Sequence, residues 1–253
     1  MTASRQSSVE TSVTPAEIAQ FDAIASRWWD PNGPMRPLHR MNPMRIRWSD
    51  TRIRRRFPQT SGLRVLDIGC GAGLAAEALA QRGYDVLGVD AAADAIAAGR
   101  AHAAGKDLPL DYRIGAPEDL LGEGERFKVI TALEVIEHVA NPGDFVATLS
   151  RLLAPDGLLF LSTLNRTPRS FVVAKLGAEY LLRMLPIGTH DWKKFVTPAE
   201  LGMFLRRTGL RLAEASGMTP APMTASWRAS RDLGVNYIAM AEKGGATGQA
   251  VGS

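Results

Sequence analysis

Apolar and polar positions follow a regular rhythm from about residue 62 onward. Short apolar runs typical of buried strands alternate with segments of helical period. We predict strands at 63–68, 84–89, 111–114, 127–133 and 157–163, and helices at 73–82, 92–104, 117–121 and 142–153. This alternation favours an α/β fold, a mostly parallel sheet with helices on both faces. Ligands of such sheets bind at the carboxyl ends of the strands, near the point where strand order reverses.

The chain after the fifth strand is predicted to add three further elements. A helix starts at Thr197-Pro198-Ala199-Glu200 and ends near Gly209, and a closing pair of strands follows at 210–215 and 236–242. Residues 244–253 are Gly-rich and predict a flexible tail.

The residues before the sheet predict a helical cap over 14–60, preceded by a polar, disordered segment at 1–13. Thr14-Pro15-Ala16-Glu17 has the capping residue, the early proline and the acid of a helix start. One face of this helix carries Ile18, Phe21, Ala25 and Trp28. A second helix is predicted from Asn42-Pro43 to about Phe57. The pair Trp28-Trp29 either packs onto the main domain or forms part of a lid.

An apolar insertion at 165–195 follows the fifth strand, on the ligand side of the predicted sheet. Its apolar helix contains Phe171, Val172, Val173, Leu176, Tyr180, Leu181, Leu182, Met184 and Leu185. Three interpretations remain open: a packed extra helix, a lid over an apolar substrate, or a face lying on a membrane surface.

Composition removes several classes of protein. The 253 residues are 45% hydrophobic, enough to form a core, and no run of about 18 apolar residues predicts a transmembrane helix. Met1 to Val13 has no apolar signal core, and the single Cys70 allows no internal disulfide, so we expect a cytoplasmic protein. The net charge of +4 is too small to indicate nucleic acid.

Arginine is concentrated between residues 36 and 56, where eight arginines face Asp50 alone. Such a run is a solvated helix face, or it meets anionic lipid, RNA or a ligand carboxylate. Aromatic residues do not interleave in an RNA-binding pattern, so we expect no nucleic-acid partner.

The centre of the chain is the run from Val65 to Gly73, an apolar strand followed by three glycines. Glycines permit a sharp turn and a close approach of ligand to backbone, and the next helix points its N–H groups at that ligand. Asp90 ends the second strand, beside this turn, where a ribose diol needs an acceptor. Leu74 occupies the place of the last glycine in G-x-G-x-x-G, which argues against a dinucleotide-binding turn. The Gly-Lys-Ser/Thr ending of a phosphate-binding loop is absent.

The string Asp67-Ile68-Gly69-Cys70-Gly71-Ala72-Gly73 resembles motif I of the class I S-adenosylmethionine (SAM) methyltransferases. The resemblance implies a Rossmann-like fold over residues 61–243. It implies that Gly69 and Gly71 face the methionine part of SAM and that Asp90 holds the ribose hydroxyls. Asp67 would orient the turn or the cofactor ammonium, and the segment of Ala116 to Asp119, with Glu118, would lie near the adenine.

A third candidate group follows the fourth strand, at Glu134, Glu137 and His138. If a helix begins here, these residues share one face at i, i+3 and i+4. Two carboxylates and an imidazole could hold a divalent cation, which would lower the pKa of a bound phenol. His138 could instead serve as the general base. The residues alone support both mechanisms.

Longer strings narrow the resemblance to one family, the ubiquinone biosynthesis O-methyltransferases. They are Phe21-Asp22-Ala23, Ala25 to Asp30, Pro37 to Arg45, Ser162 to Arg166, Gly177 to Tyr180, Gly188 to Trp192 and Val235 to Tyr237.

The resemblance implies O-methylation of polyprenylated catechols and quinols, namely 2-polyprenyl-6-hydroxyphenol and 3-demethylubiquinol. It implies cofactor contacts from Arg45, Gly69, Asp90 and Leu133, with Arg45 pairing the SAM carboxylate. It also implies Mg²⁺ on Glu134, Glu137 and His138. An apolar substrate further suggests contact with an anionic membrane at its inner face, or a complex with other quinone-pathway enzymes. The alternatives are methylation of another apolar phenol or acid, and a lipid-surface binding protein that keeps the fold without turnover.

Overall fold

Eight strands form one sheet in the computed structural model, which describes residues 14–173, 192–221 and 226–244. The strands run in the order β3-β2-β1-β4-β5-β8-β6-β7. Their bounds are β1 Arg64–Ile68, β2 Asp85–Asp90, β3 Leu110–Ile114, β4 Phe127–Leu133, β5 Leu153–Leu164, β6 Leu210–Ala221, β7 Ser226–Ser230 and β8 Asn236–Lys243. The predicted α/β fold is therefore confirmed.

Helices and short 3-10 turns connect and cover these strands. The helices are α1 Pro15–Asp22, α2 Arg36–Arg56, α3 Leu74–Ala80, α4 Ala93–Ala103, α5 Pro117–Gly122, α6 Pro142–Leu152 and α7 Pro198–Arg207. The 3-10 turns are Ala25–Arg27 and Trp192–Lys194.

The first five strands are parallel, and the strand order reverses between β1 and β4. Val65 of β1 lies opposite Val86 of β2 on one side and Val129 of β4 on the other. The chain adds β2 and β3 on one side of β1 and then returns to place β4 on the other side, so a crevice opens at the carboxyl ends of β1 and β4. β8 continues the sheet antiparallel to β5, and β6 pairs antiparallel with β8.

Each face of the sheet is closed by its own apolar cluster. One cluster packs α6 and α7 onto the sheet and includes Phe145, Leu149 and Leu205. The other packs α2 and α3 and includes Trp48, whose ring meets Phe160 edge-on at 6.0 Å. Burial of large side chains on both faces explains why the strands read as nearly continuous apolar runs.

The start of α2 differs from the sequence prediction. The helix begins at Arg36 rather than at Asn42, with Pro37 in its first turn and Pro43 inside it. Asn42 is no capping residue, because its Nδ2 donates to the carbonyl of Leu74 at 2.6 Å. This tertiary bond anchors α2 to the first residue of α3, and the sequence pattern alone could not reveal it.

The helix proposed at Glu134, Glu137 and His138 is also wrong, since these residues form a turn. The backbone of Glu134 has a φ of 59°, which is outside the helical region. The next helix, α6, starts only after Asn141, whose Oδ1 accepts from Gly143 N and Asp144 N.

Two strand predictions were too short and one strand was missed. β5 begins at Leu153, β6 extends to Ala221, and β7 pairs with β6 at the edge of the sheet. Residues 174–191, most of the predicted insertion and of its apolar helix, lie outside the described residues. Phe171, Val172 and Val173, at the start of the predicted helix, are each about half exposed. No helix among the residues that the structure describes is long and apolar enough to cross a bilayer.

Most arginines near the end of α2 form ion pairs with acids of the same chain. Arg52 and Arg55 both bind Glu214, and Arg56 lies 3.4 Å from Asp156. The Arg52 guanidinium also stacks over Trp48 at 3.6 Å. These contacts indicate that the arginines help to hold α2 on the sheet domain, although each exposed ion pair contributes only about 0–1 kcal/mol to stability.

The third glycine of the central turn is required by packing, which predicts a large cost for Gly73→Ala. The φ of Gly73 is 92°, and an added Cβ would lie 1.8 Å from the Tyr112 hydroxyl oxygen. We expect the free energy of unfolding to fall by about 2–5 kcal/mol, measured by urea unfolding, from left-handed strain plus overpacking.

Gly83→Ala is the matched control, since its φ is 88° and nothing lies within 4 Å of the added Cβ. The free energy of unfolding of Gly83→Ala should fall by only about 1–2 kcal/mol. Equal losses in the two variants would show that contact with Tyr112 is not the cause.

Candidate active site

A cavity opens where β1, β2 and β4 end, at the crevice between β1 and β4. It is lined by Ile18, Phe21, Trp28, Leu38, Ile68, Gly69, Gly71, Val89, Asp90, Ala91, Gly115, Ala116, Pro117, Leu133, Glu134, Val135, His138, Val139 and Phe145. The lining is mainly apolar, with a few titratable groups, Asp90, Glu134 and His138, as expected of a small-molecule site. Both the cap and the sheet contribute to it.

Side chains of the protein pack directly against the glycine turn at the end of β1. Gly69 and Gly71 have φ of 65° and 53°. A Cβ at Gly69 would lie 2.5 Å from Val135 Cγ2, and one at Gly71 would lie 2.1 Å from Trp28 Cζ2. The two interpretations of Trp28 therefore coincide, because this buried indole packs onto the main domain and covers the turn. Trp29 instead stacks on His102, with 3.4 Å between ring centroids.

Asp90 holds the turn through its carboxylate. Its Oδ2 accepts from Gly71 N at 2.8 Å, and its Oδ1 accepts from Ala92 N at 2.8 Å. Burial raises the pKa of this carboxyl, and the two backbone N–H groups partly oppose the shift. As Asp90 also lines the cavity, its remaining lone pairs can accept from a diol.

Asp67 lies directly beneath the turn and is 2% exposed. The Thr131 hydroxyl donates to its Oδ1 at 2.5 Å, whereas its buried Oδ2 has no hydrogen-bond partner among the described residues. Burial raises the pKa of Asp67 to about 7, against the opposing effects of the Thr131 bond and the Arg45 charge. An unpaired buried acceptor next to the turn suits a cationic group such as an ammonium.

Arg45 presents the complementary feature, a buried cation with unused donors. It is 3% exposed, and its Nη2 donates to Asn42 Oδ1 at 3.4 Å. Its Nη1 lies 3.7 Å from Glu134 Oε1, but neither Nε nor Nη1 has a hydrogen-bond partner in the part of the chain described. Beyond the contact with Glu134, this buried guanidinium therefore has two donors that could bond to a further anion.

Leu133 lines the cavity, as do Ala116 and Pro117. Glu118 follows in the first turn of α5, and it is not a lining residue, nor are Arg45 and Asp67. The adenine contact of the segment with Glu118 stays a prediction.

The three candidate metal ligands point to different partners. Glu134 Oε1 accepts from the Ser162 hydroxyl at 2.6 Å. Glu137 is 4% exposed and its Oε2 has no partner among the described residues. Burial and the charge of Glu134 raise the pKa of Glu137 to about 7. His138 Nδ1 lies 3.6 Å from Glu17 Oε1, and its ring meets Phe21 edge-on.

This arrangement does not fit the divalent cation that the resemblance implies. Within residues 14–173, 192–221 and 226–244, no group of three His, Cys, Asp or Glu side chains is placed to hold a metal ion. The physical reason is the turn after β4, which replaces the helix that would have aligned these donors. Glu134 is directed to Ser162, and His138 to Glu17.

Sequence alone assigned Trp28 to the site only as one alternative, part of a lid, and it gave no sign that Glu17 lies beside His138. Trp28 belonged to an apolar face, and Glu17 was explained by the helix start. Neither pattern says which distant element the side chain meets.

Comparison with known sequences gives a consistent assignment. The profile of a methyltransferase domain family matches residues 42–215. Two curated relatives, each a ubiquinone biosynthesis O-methyltransferase, come from Roseobacter denitrificans and Rhodopseudomonas palustris. The first is 46% identical over 92% of this chain and 98% of the relative, and the second is 46% identical over 92% and 95%.

Solved structures show the same fold at low identity. Magnesium protoporphyrin IX methyltransferase from Synechocystis PCC 6803 with bound SAH aligns with a TM-score of 0.56 and 22% identity, over 79% of this chain and 80% of that one. A methyltransferase in complex with the Haloferax volcanii Trm112 activator aligns with a TM-score of 0.60 and 20% identity, over 88% and 97%. The chain thus has the class I SAM-dependent methyltransferase fold, and it belongs to the ubiquinone biosynthesis O-methyltransferase family.

Proposed function

We propose that this enzyme transfers the methyl group of SAM to a ring hydroxyl of a polyprenylated catechol or quinol. The substrates we propose are 2-polyprenyl-6-hydroxyphenol and 3-demethylubiquinol. One arrangement carries the proposal: Arg45, with unpaired donors, lies 3.7 Å from Glu134, and Asp67, with an unpaired acceptor, directly precedes the glycine turn. Glu134, the glycine turn and His138 all line one cavity. The names of the relatives support the choice of substrate.

The residues around the turn match the parts of SAM. Arg45 would hold the carboxylate and Asp67 the ammonium of the methionine part. Asp90 would accept from the ribose hydroxyls, and the edge of Ala116 and Pro117 would contact the adenine. When bound, SAM supplies a sulfonium that already activates the methyl group for in-line attack.

The protein must then orient the ring oxygen and accept its proton. A phenol has a pKa of about 10, so it is mostly protonated at neutral pH. His138 lines the cavity and is our proposed base. Burial disfavours its charged form, but the polar contact with Glu17 at 3.6 Å and the charges of Glu137, Glu17 and Glu134 outweigh this and raise the pKa of His138. Stabilising the imidazolium favours proton acceptance at the imidazole nitrogen.

No step of this mechanism passes through a cation, since Glu134, Glu137 and His138 as placed do not converge. Glu137 instead lies buried beside the base, where its carboxylate stabilises the protonated ring electrostatically.

The greasy tail of the proposed substrate has a counterpart on the surface. Phe171, Val172 and Val173 are exposed together, just after β5. This patch supports the proposal of peripheral contact with the inner face of the membrane. A complex with other quinone-pathway enzymes would be an alternative way to deliver the substrate.

Methyl transfer from labelled SAM to a panel of phenols tests the proposed activity. We expect product with a prenylated catechol or quinol and little with a phenol that lacks the tail or the neighbouring oxygen. His138→Gln should lower kcat by about 10²- to 10⁴-fold, since it removes the base. Transfer to an unrelated apolar acid alone would reassign the substrate, and tight lipid binding without any turnover would favour the lipid-surface protein.

Removal of divalent ions tests the role of a cation. Because the three donors have other partners, we expect a chelator to change kcat less than twofold. A rate that collapses on chelation and returns with Mg²⁺ would show that the donors rearrange in the working enzyme.

Cofactor affinity should depend on pH through Asp67. Its pKa of about 7 means that the carboxylate is mostly protonated at pH 5.5 and mostly ionised at pH 7.5. The ammonium binds the ionised form, so SAM affinity should rise with pH through about 7 and fall by up to about tenfold per pH unit well below that value.

Calorimetric titration of SAM between pH 5.5 and 7.5 measures this trend. Asp67→Asn should bind more weakly and lose most of the pH dependence. Asp85→Asn is the control, because Asp85 is an exposed residue at the other end of β2. This variant should keep the pH dependence of SAM binding. An unchanged pH profile in Asp67→Asn would place the ammonium elsewhere.

A further inference from the structure

The tetrapeptide Thr-Pro-Ala-Glu occurs twice in the chain, at 14–17 and at 197–200. Each copy starts a helix with its threonine as the capping residue. Thr14 Oγ1 accepts from Glu17 N at 3.4 Å, and Thr197 Oγ1 accepts from Glu200 N at 3.2 Å. The two copies therefore share sequence and local backbone role, and they differ only in what surrounds them.

The second copy uses its glutamate locally. Glu200 Oε2 accepts from Thr197 N at 2.9 Å and so completes the capping box. Its other oxygen pairs with Arg166, and the side chain remains 32% exposed. This is the ordinary behaviour of an acid at the third position of a helix.

The first copy directs its glutamate away from the helix start. Glu17 Oε1 lies 3.0 Å from Lys194 Nζ and 3.6 Å from His138 Nδ1, and Oε2 accepts from the Thr14 hydroxyl at 3.4 Å. Its side chain is only 12% exposed. Burying a carboxylate costs free energy unless partners compensate. Here the partners are His138, in the turn after β4, and Lys194, in the 3-10 turn at Trp192–Lys194. Tertiary contacts, not helix propensity, therefore determine the position of Glu17.

Two residues one helical turn apart on α1, Glu17 and Phe21, both contact the His138 imidazole. Phe21, four residues after Glu17, meets the His138 ring edge-on, with 5.5 Å between centroids at 81°. Both His138 and Phe21 line the cofactor cavity, whereas Glu17 lies behind them. An acid that orients an imidazole from behind, while the ring faces the reaction, is a recurrent arrangement in general-base catalysis.

We propose that Glu17 is a positioning residue for methyl transfer. It holds the His138 ring with Nδ1 directed toward α1, and through Lys194 it ties the 3-10 turn at Trp192–Lys194 to the same point. The proposal rests on the proposed function, since His138 is the base there. It makes α1, which lies before the matched methyltransferase domain at 42–215, a working part of the active site.

Steady-state kinetics of matched variants test the proposal. Glu17→Ala should lower kcat by about 10- to 100-fold, a part of the full return of a general base. KM for SAM and the equilibrium affinity for S-adenosylhomocysteine should stay within about threefold. Glu17→Gln keeps the size and an acceptor oxygen, so its loss should be smaller. Glu200→Gln alters the same tetrapeptide in the other helix and should retain wild-type kcat.

A kcat near wild type in Glu17→Ala would overturn the proposal, as would equal losses in the Glu17→Gln and Glu200→Gln proteins. If Glu17→Ala also loses S-adenosylhomocysteine binding, the isosteric Glu17→Gln variant decides. Its kcat must then fall while that binding is kept.

A second readout needs no substrate. The chain has four histidines, so ¹⁵N-histidine labelling with His138→Gln for assignment isolates the His138 ring. We expect the Nδ1 signal of His138 to shift in Glu17→Ala and not in Glu200→Gln. If wild type methylates no phenol, the proposed function fails, and this spectrum alone then decides the contact. An unchanged His138 signal would overturn it.

Discussion

The guanidinium of Arg45 is buried at 3% exposure, yet two of its three nitrogens have no hydrogen-bond partner among the described residues. Burial lowers the pKa of this group, and the fields of Glu134, Asp67 and Glu137 oppose that effect and keep it charged. Its contacts are a 3.4 Å bond to Asn42 and a 3.7 Å ion pair with Glu134, which leave those two nitrogens without an acceptor. Incomplete compensation of a buried charge is costly, often by several kcal/mol. We propose that the site tolerates this cost because the unused donors are preorganised for the carboxylate of the cofactor. Much of the architecture around the crevice serves to hold this one charge in place.

Helix α2 carries Arg45 and is fixed from both sides. Asn42 Nδ2 donates to Leu74 O, which anchors α2 to the helix that follows the glycine turn, and Trp48 packs against Phe160 of β5. The cationic end of the site is therefore rigidly related to the turn. After β4, the φ of 59° at Glu134 changes the direction of the chain. The Glu134 carboxylate lies near Ser162 and Arg45, and His138 lines the cavity beside Glu17.

Sequence patterns were sufficient where burial alone determines the structure. Strand β4 was predicted with its observed bounds, because a short, nearly continuous apolar run is typical of a strand that is buried on both faces. The glycine turn and Asp90 were likewise predictable, since backbone conformation and spacing are local properties. Prediction failed where a distant partner decides. Asn42 resembles a cap but bonds to α3, and Glu17 resembles a capping-box acid but turns to His138, although the same four residues at 197–200 behave as the pattern says. The Glu134–His138 segment has helical spacing, but its positive φ follows from contacts that spacing does not encode.

A thermodynamic cycle tests whether Arg45 receives the carboxylate of the cofactor. It compares the equilibrium binding of SAM and of decarboxylated SAM by the wild-type protein and by Arg45→Ala. Truncating one partner of a buried charge pair typically costs about 2–5 kcal/mol, so wild type should prefer SAM by about 30-fold or more. That preference should nearly vanish in Arg45→Ala. A preference of the same size in both proteins would mean that another group holds the carboxylate, and it would contradict the role assigned to Arg45.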